Sequence, residues 1–312
     1  MKKIIVVVLI FVLGIALSGC DKANQEKLSI IVPSGTPSLV VANRMDQARE
    51  DYQIVHGSDP LVAAFTSKSH DIIFAPTNLG AVMYKNNQNY VLAAVVVWGN
   101  NFIISRKDVG IQNLSDLTGQ IIHAFGRNQT PDIVLQTILD HNQIKDTVQI
   151  IYENDVTTLT SKFTLGTIDV ALIAEPSLSQ LKEIMELNVI DLQQEWGNIY
   201  GTNGYPQVGV FVKKDTLSHS PVKVNQFLID IKDSISWMKN NRVEFATIAT
   251  SIHESFQLMG SNVIEQAIAS TSYEFKYAID VISEVTNYFS IIISLNPNLI
   301  GGEIPNEGFF MQ

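Results

Sequence analysis

The sequence predicts an α/β fold of two similar lobes, and two pairs of repeated phrases carry this prediction. "TPSLV" at Thr36 recurs as "TPDIV" at Thr130, each after a short apolar run and a glycine. "HDIIFAPTNLG" at His70 corresponds in outline to "IDVALIAEPSL" at Ile168. Any α/β protein contains some similar strand-to-helix junctions, so one pair is compatible with coincidence. Two pairs in the same order and at near-equal spacing favour a duplicated unit.

The N-terminal segment has the pattern of an export signal. Lys2 and Lys3 precede an apolar run of 14 residues from Ile4 to Leu17. The run is shorter than the roughly 20 residues that span a bilayer, but it fits the core of a signal peptide. It ends in "LSGC", which resembles the lipobox of bacterial lipoproteins. This resemblance implies that Cys20 is lipidated and becomes the mature N-terminus. The alternative is an incidental cysteine near an ordinary cleavage site.

Composition sets the limits of the mature chain. The 312 residues suit about two domains, and a chain that is 46% hydrophobic and 17% charged can bury a core. Residues 1–19 form the predicted signal peptide and 20–27 a lipidated tether. Removal of the signal peptide deletes two lysines and no acidic residue, so the formal charge falls from −10 to −12. This charge argues against a nucleic-acid partner. Cys20 is the only cysteine, so the folded part has no disulfide and no catalytic thiol.

Each repeated junction indicates a buried strand followed by a helix. The runs "LSIIV", "DIIFA", "QIIHAF" and "DVALIA" are short and continuously apolar, as in parallel strands that are buried on both faces. Thr36 and Thr130 are suited to cap helices. Pro37 and Pro131 then lie at the first helical position, where a missing N–H costs nothing.

The helix N-termini are expected to gather at the carboxyl ends of the strands, where open α/β sheets bind ligands. Free amides there favour anionic or hydrogen-bond-accepting groups. If the lobes face one another, four junctions converge on one cleft. These are 34–38, 76–79, 126–130 and 175–177.

Two extended segments are predicted to connect the lobes. "VLAAVVVWGNNFIIS" indicates one long apolar strand, and "QVGVFVKK" a strand that returns. We expect lobe I to contain 28–101 plus part of 206–312, and lobe II to contain 102–205. Two such crossings form a hinge about which the lobes close. The segment 221–312 has mostly helical spacing, and the sequence does not assign its helices to a lobe.

Several of these phrases together resemble a known family. "VPSGTPSLV", "HDIIFAPTNLGAVMY", "NFIISRKDVGIQNLSDLTGQIIHAFGRNQTPDIVL", "DVALIAEPSLSQL" and "YPQVGVFVKKD" are similar to solute-binding lipoproteins of ABC importers. The similarity is strongest to the branch that includes sulfonate, taurine and thiamine-pyrimidine binding proteins. It covers nearly the whole mature chain and names no ligand.

The resemblance implies a type II periplasmic-binding-protein-like fold with two crossing hinge strands. It implies that the chain captures a small solute in the interlobe cleft and delivers it to a membrane permease, without catalysis and without a cofactor. The protein is then a monomer that a lipid anchors to the outer face of the bacterial cell membrane. The alternatives are an exported enzyme related to pyrimidine-precursor synthases, and a sensory or adhesive receptor.

The candidate ligand-binding residues are polar or aromatic side chains at the junctions and crossings: Ser34, Gly35, Thr36, Ser38, Thr77, Asn78, Trp98, Arg127, Asn128, Gln129, Thr130, Glu175, Ser177 and Tyr205. Each also has a structural alternative. The threonines and Glu175 are suited to cap helices. Trp98 and Tyr205 are suited to stack on a planar ring or to fill a core. Arg127 is suited to clamp a carboxylate, sulfonate or phosphate, or to remain a solvated loop residue.

The remaining motifs exclude some chemistry and leave two ligand classes open. The six histidines form no HExxH pair or other compact metal-ligand spacing, so no metal site is expected. The sequence contains neither a GxSxG elbow nor a GxxxxGK[ST] loop. A small anionic or zwitterionic organic molecule is the first choice of ligand, because of Arg127. A planar nitrogen heterocycle is the second, because many of the other candidates are neutral hydrogen-bonding groups.

Overall fold

A computed structural model describes residues 27–45, 47 and 50–312. The predicted signal peptide, Cys20 and the tether up to residue 26 lie outside the described residues.

The described part of the chain contains eleven strands in two sheets. They are β1 (Ser29–Pro33), β2 (Asp51–Val55), β3 (Ile72–Pro76), β4 (Tyr90–Val97), β5 (Asn101–Arg106), β6 (Ile121–Ala124), β7 (Gln149–Tyr152), β8 (Val170–Ala174), β9 (Leu187–Asp191), β10 (Val208–Lys213) and β11 (Tyr273–Tyr277).

The α-helices of the described residues alternate with strands at first and then follow one another. They are α1 (Thr36–Met45), α2 (Asp59–Ser67), α3 (Thr77–Asn86), α4 (Thr130–His141), α5 (Val156–Thr164), α6 (Ser177–Lys182), α7 (Leu192–Tyr200), α8 (Lys214–His219), α9 (Pro221–Asn240), α10 (Arg242–Ile252), α11 (Glu254–Met259), α12 (Ser261–Ser270) and α13 (Ile282–Leu295). Short 3₁₀ helices cover Lys107–Val109, Leu114–Leu117, Lys145–Thr147, Ala278–Val281, Pro297–Ile300 and Glu307–Phe309.

The first sheet has the strand order β11-β4-β10-β3-β1-β2. β1 pairs in parallel with β2 and β3, as the buried apolar runs predict. β10 then inserts antiparallel between β3 and β4, and β11 pairs antiparallel with β4. All eight residues of β4 are buried, because helices cover both faces of the sheet's centre.

The second sheet has the order β7-β6-β8-β5-β9 and is made from one continuous stretch of chain. β6 is parallel to β7 and β8, whereas β5 is antiparallel to β8 and β9. Both sheets are therefore mixed, and each keeps the parallel β-α units that the repeated phrases predict.

Two short crossings connect the sheets. The predicted long strand is two strands, β4 and β5, separated by Trp98, Gly99 and Asn100. The returning crossing lies beside it, since the Tyr205 amide donates to the Trp98 carbonyl (2.9 Å) and the Gln207 amide to the Val97 carbonyl (3.0 Å). The crossings are thus hydrogen-bonded to each other where the chain passes between the sheets.

The C-terminal helices pack on both sides of the crossings. α9 and α10 contact α1 beside the first sheet, where Ser234 Oγ donates to the Val40 carbonyl (3.1 Å). α13 contacts α4 beside the second sheet. The stretch from Ala278 to Leu295 is long and apolar enough to span a membrane by composition, but Val285, Tyr288 and other apolar side chains of α13 are buried in the protein core.

Candidate functional site

A cleft of about 430 Å³ lies where strand ends of the two sheets face each other. The first sheet contributes the β1–α1, β2–α2 and β3–α3 junctions, and the second contributes the β6–α4 junction. The lining side chains carry no formal charge. They are Pro33, Ser34, Pro37, Ser58, Leu61, Pro76, Asn78, Leu79, Val82, Phe125, Asn128, Gln129, Thr130, Pro131, Gln207, Val208, Asn298 and Leu299, together with Gly57.

The two sides of the cleft touch through the starts of α3 and α4. Thr130 Oγ1 donates to Asn78 Oδ1 at 3.2 Å, and both side chains are buried. Asn78 Nδ2 donates a long bond of 3.4 Å to the Leu299 carbonyl, in the segment that follows α13. The bond between Thr130 and Asn78 therefore holds the 76–79 and 126–130 junctions together.

The β1–α1 junction presents one polar side chain to the cleft and uses the others internally. Ser34 lines the cleft and its Oγ lies 2.8 Å from His56 Nδ1. Ser38 Oγ donates to the Gly35 carbonyl (2.8 Å). Gly35 has a φ of +89°, a conformation that glycine adopts without strain. Of the candidates in this loop, Ser34 is the side chain placed to contact a ligand.

The crossings carry a chain of side-chain hydrogen bonds that ends at the cleft. Asn100 Nδ2 donates to Thr36 Oγ1 (2.8 Å), and Asn100 Oδ1 accepts from Gln207 Nε2 (2.7 Å). Gln207 lines the cleft, and its Oε1 is buried with no hydrogen-bond partner among the described residues. Buried acceptors are normally paired, so this oxygen requires an explanation.

Arg127 lies next to the cleft in sequence but is engaged elsewhere. Its guanidinium lies 5.1 Å from the ring centroid of Tyr152, in a cation–π arrangement. The Tyr152 hydroxyl donates to Asp132 Oδ1 (2.5 Å), and the Asn128 amide donates to Asp132 Oδ2 (2.7 Å). The buried Asp132 carboxylate thus takes a backbone amide at the start of α4 that an anionic ligand would need.

Glu175 is likewise engaged within the protein. Its carboxylate accepts from the Ser179 amide (3.1 Å) and Ser179 Oγ (2.9 Å) at the start of α6, and from Ser270 Oγ at the end of α12. Burial raises the pKa of Glu175 above its usual range, although these hydrogen bonds favour the ionised form. Ser177 is the first residue of α6 and does not line the cleft.

The 175–177 junction packs against the β1–α1 loop instead of the cleft. A Cβ added to Gly35 would meet Pro176 Cδ at 3.7 Å and the Glu175 carbonyl at 4.0 Å. Three of the four predicted junctions therefore line the cleft. The 175–177 junction packs against the 34–38 junction.

Three further candidates have structural contacts. Thr77 is fully buried and its Oγ1 donates to the Pro206 carbonyl. Trp98 Nε1 donates to the Glu274 carbonyl (2.9 Å), and Lys276 Nζ lies 4.3 Å from the Trp98 ring centroid. The buried Tyr205 hydroxyl accepts from Asn101 Nδ2 (2.6 Å) and donates to Gln193 Oε1 (3.1 Å). None of the three lines the cleft.

The structure thus brings five candidates to the cleft: Ser34, Asn78, Asn128, Gln129 and Thr130. It adds residues that sequence reasoning missed, above all Gln207 and the apolar side chains of Leu61 and Phe125. One signal in the sequence indicates Gln207, since it is a polar residue between "YP" and the apolar run "VGVFV" on the returning crossing. Within the described residues, no group of three or more histidine, cysteine, aspartate or glutamate side chains is arranged to hold a metal ion.

Comparison with known proteins agrees with this architecture. The profile of the family described as NMT1/THI5 like matches residues 51–244. No curated protein sequence shows significant similarity to the chain.

Solved structures with the same fold include three bacterial proteins. An ABC transporter protein from Parabacteroides distasonis aligns with a TM-score of 0.77 at 18% identity, over 92% of this chain and 99% of that one. The periplasmic aliphatic sulphonate binding protein SsuA from Escherichia coli gives 0.73 at 14%, over 93% of each chain. The alkanesulfonate-binding protein SsuA from Xanthomonas axonopodis pv. citri, bound to MOPS, gives 0.66 at 16%, over 90% and 95%. The predicted two-lobed α/β fold is confirmed.

Proposed function

Because the chain belongs to the NMT1/THI5-like family, we propose that it is the solute-binding component of an ABC importer that captures a small organic solute in the cleft. One observation carries the proposal: a cleft of about 430 Å³ between the two lobes is lined by side chains from both. A ligand that contacts both lobes favours the closed arrangement and shifts the hinge equilibrium toward it. Capture of this kind needs hinge motion and no chemical step. The lobe boundaries predicted from the sequence, 28–101 with part of 206–312 and 102–205, belong to this proposal.

The cleft favours an uncharged solute over an anion. Its lining has amide and hydroxyl groups among prolines, leucines and a phenylalanine, which suit a planar polar molecule. The Arg127 guanidinium is held over Tyr152, and the Asp132 carboxylate is at the start of α4. A sulfonate in the cleft would therefore lack a cationic partner among the lining side chains. The planar nitrogen heterocycle, which was the second choice from the sequence, becomes the first.

Calorimetric titration of the full-length chain in detergent tests this choice. The probes are a neutral aminopyrimidine, taurine and ethanesulfonate. We expect the aminopyrimidine to bind, to raise the melting temperature and to make the scattering profile more compact. Asn78→Leu should weaken its binding about tenfold, because a hydrogen-bonding side chain of the cleft is lost. Arg127→Ala should leave it unchanged. Tighter binding of a sulfonate that requires Arg127 contradicts the ligand class, and binding of no small solute contradicts the function.

The proposal includes export and a lipid anchor at Cys20, on the sequence argument alone. Metabolic labelling with radioactive palmitate should mark the wild-type chain, and Cys20→Ala should abolish the label and release the chain from the membrane fraction. Labelling that persists in Cys20→Ala contradicts the anchor without affecting the binding proposal.

The enzyme alternative has one observation in its favour, the contact between Ser34 Oγ and His56 Nδ1 at 2.8 Å beside the cleft. A nucleophilic serine also needs an acid that orients the imidazole. Across the described residues, no carboxylate forms a hydrogen bond or ion pair with His56. Solute binding is therefore the function that the geometry supports best.

A further inference from the structure

Gln207 lies where the two crossings and the cleft meet. Its amide N–H donates to the Val97 carbonyl (3.0 Å), and its carbonyl accepts from the Thr77 amide (3.0 Å). The backbone of Gln207 is thus held by the end of β4 on one side and by the start of α3 on the other. Its side chain is among those that line the cleft.

The side-chain amide of Gln207 is used on one side only. Nε2 donates to Asn100 Oδ1 on the other crossing at 2.7 Å, and Asn100 Nδ2 in turn donates to Thr36 Oγ1 at 2.8 Å. These two hydrogen bonds orient the side-chain amide of Gln207 and leave its Oε1 without a donor. Oε1 is enclosed in the present arrangement and has no partner among the described residues.

An enclosed acceptor without a partner opposes closure of the lobes. Burial removes the hydration of Oε1 without supplying a replacement, which carries a desolvation cost. A solute that places an N–H group against Oε1 supplies the missing bond at the moment when the lobes close. The same contact therefore selects the solute and removes a penalty from the closed form.

We propose that Gln207 is a specificity-determining residue that accepts a hydrogen bond from an N–H group of the solute. The solute is then a neutral molecule with an amino or ring N–H edge, and an edge that carries only lone pairs is rejected because it faces Oε1. This inference rests on the proposed solute-binding function and assigns one end of the bound molecule. It makes the crossings part of the recognition surface as well as the hinge.

A matched pair of probes tests the assignment: 4-aminopyrimidine and 4-(dimethylamino)pyrimidine, titrated calorimetrically into the full-length chain in detergent at neutral pH. The wild type should prefer the amino compound by about tenfold or more. Gln207→Met should weaken binding of the amino compound about tenfold and leave the dimethylamino compound within about threefold of its wild-type affinity. Gln207→Glu, which keeps an acceptor at this position, should retain the preference.

Gln257→Met is the matched control, because Gln257 is exposed on α11 and does not line the cleft. Urea unfolding of each variant separates a folding defect from a binding defect. Equal loss of both probes in Gln207→Met, or an unchanged preference, overturns the role of Gln207 while the binding function stands. A wild-type preference for the dimethylamino compound overturns it as well. Failure of the wild type to bind either pyrimidine or any sulfonate overturns the proposed function, and the role of Gln207 with it.

Discussion

Thr130 and Asn78 join the two lobes across the cleft, with Thr130 Oγ1 donating to Asn78 Oδ1 at 3.2 Å. Each residue lies at the start of its helix, Asn78 on α3 and Thr130 on α4, so the bond connects two helix N-termini that belong to different sheets. Both side chains are buried. Loss of one partner therefore leaves the other without a hydrogen bond, which costs free energy. If the lobes close over a solute as proposed, this bond is one that forms on closure.

Thr130→Val should weaken binding of a neutral aminopyrimidine about five- to tenfold, because the variant keeps the shape of the side chain and loses the interlobe hydrogen bond. Calorimetric titration measures this change. Thr137→Val is the control, since the buried Thr137 on the same helix donates only to the Ile133 carbonyl within α4 (2.8 Å). Equal effects of the two substitutions would mean that the Thr130 bond has no part in closure.

Arg44→Met should destabilise the protein by about 3–5 kcal/mol, because it leaves two carboxylates without their cation. Arg44 is 5% exposed, and its guanidinium lies 2.6 Å from both Glu50 Oε1 and Asp230 Oδ2, which ties α1 to α9. The shift of the urea unfolding curve gives the value. The exposed Arg242→Met should change stability by less than about 0.5 kcal/mol. Similar curves for the two variants would refute the structural role of Arg44.

Glu175→Gln should reduce the fall in stability that accompanies rising pH. Burial raises the pKa of Glu175 in the folded state, so the folded protein takes up a proton more readily than the unfolded chain. The contribution of Glu175 to the free energy of unfolding is thus fully present below its pKa in the unfolded chain. It is lost as the pH rises through its pKa in the folded protein. The measurement is the difference in unfolding free energy between wild type and variant across that window.

Glu153→Gln provides a control of opposite sign. Hydrogen bonds from Lys162 and His123 lower the pKa of Glu153, so its contribution is present above the unfolded pKa and is lost as the pH falls through the folded pKa. The two difference curves should slope in opposite directions. Parallel curves would contradict the conclusion that burial raises the pKa of Glu175.

Gly204→Ala should destabilise the crossing by about 3 kcal/mol. Gly204 has a φ of +128°, and an added Cβ would lie 2.0 Å from the Trp98 carbonyl oxygen on the other crossing. Gly201→Ala is the control, because Gly201 also has a positive φ, +69°, but its Cβ would meet no atom within 4 Å. Gly201→Ala should cost about 1 kcal/mol. Thermal unfolding distinguishes them, and equal losses would show that the close approach to Trp98 is unimportant.

The repeated phrases predicted the local structure well because short-range physics determines it. The apolar runs formed strands, and α1 and α4 begin at Thr36 and Thr130, each followed by a proline. The predicted capping role of Thr130 is wrong, because Gln129 is at the cap position and Thr130 Oγ1 donates to Asn78 Oδ1 instead. The pairing of strands distant in sequence was not predictable in the same way. Nothing local to "QVGVFVKK" shows that β10 inserts antiparallel between β3 and β4, because that position depends on which edges remain free after the other strands have paired.

The sequence predicted where a cleft lies, and it did not predict which charged side chains face that cleft. The sequence places Arg127 beside a helix start, but its guanidinium lies over the ring of Tyr152, 25 residues later in the chain, and the Tyr152 hydroxyl in turn donates to Asp132. In the same way Glu175 is a candidate from the sequence, yet its carboxylate accepts hydrogen bonds from Ser179 and Ser270 inside the protein. Three of the four predicted junctions line the cleft, and the charged candidates Arg127 and Glu175 do not. The binding role of the cleft stays a prediction.

The interruption of the first sheet has a consequence for how the chain reaches its native state. β10 lies third among the six strands of this sheet, but it is synthesised after every strand of the second sheet. The continuous stretch from β5 to β9 contains all the strands of the second sheet. In the first sheet, β3 and β4 have no partner between them until β10 has been synthesised. We therefore expect the second sheet to fold first and the first sheet to be completed last.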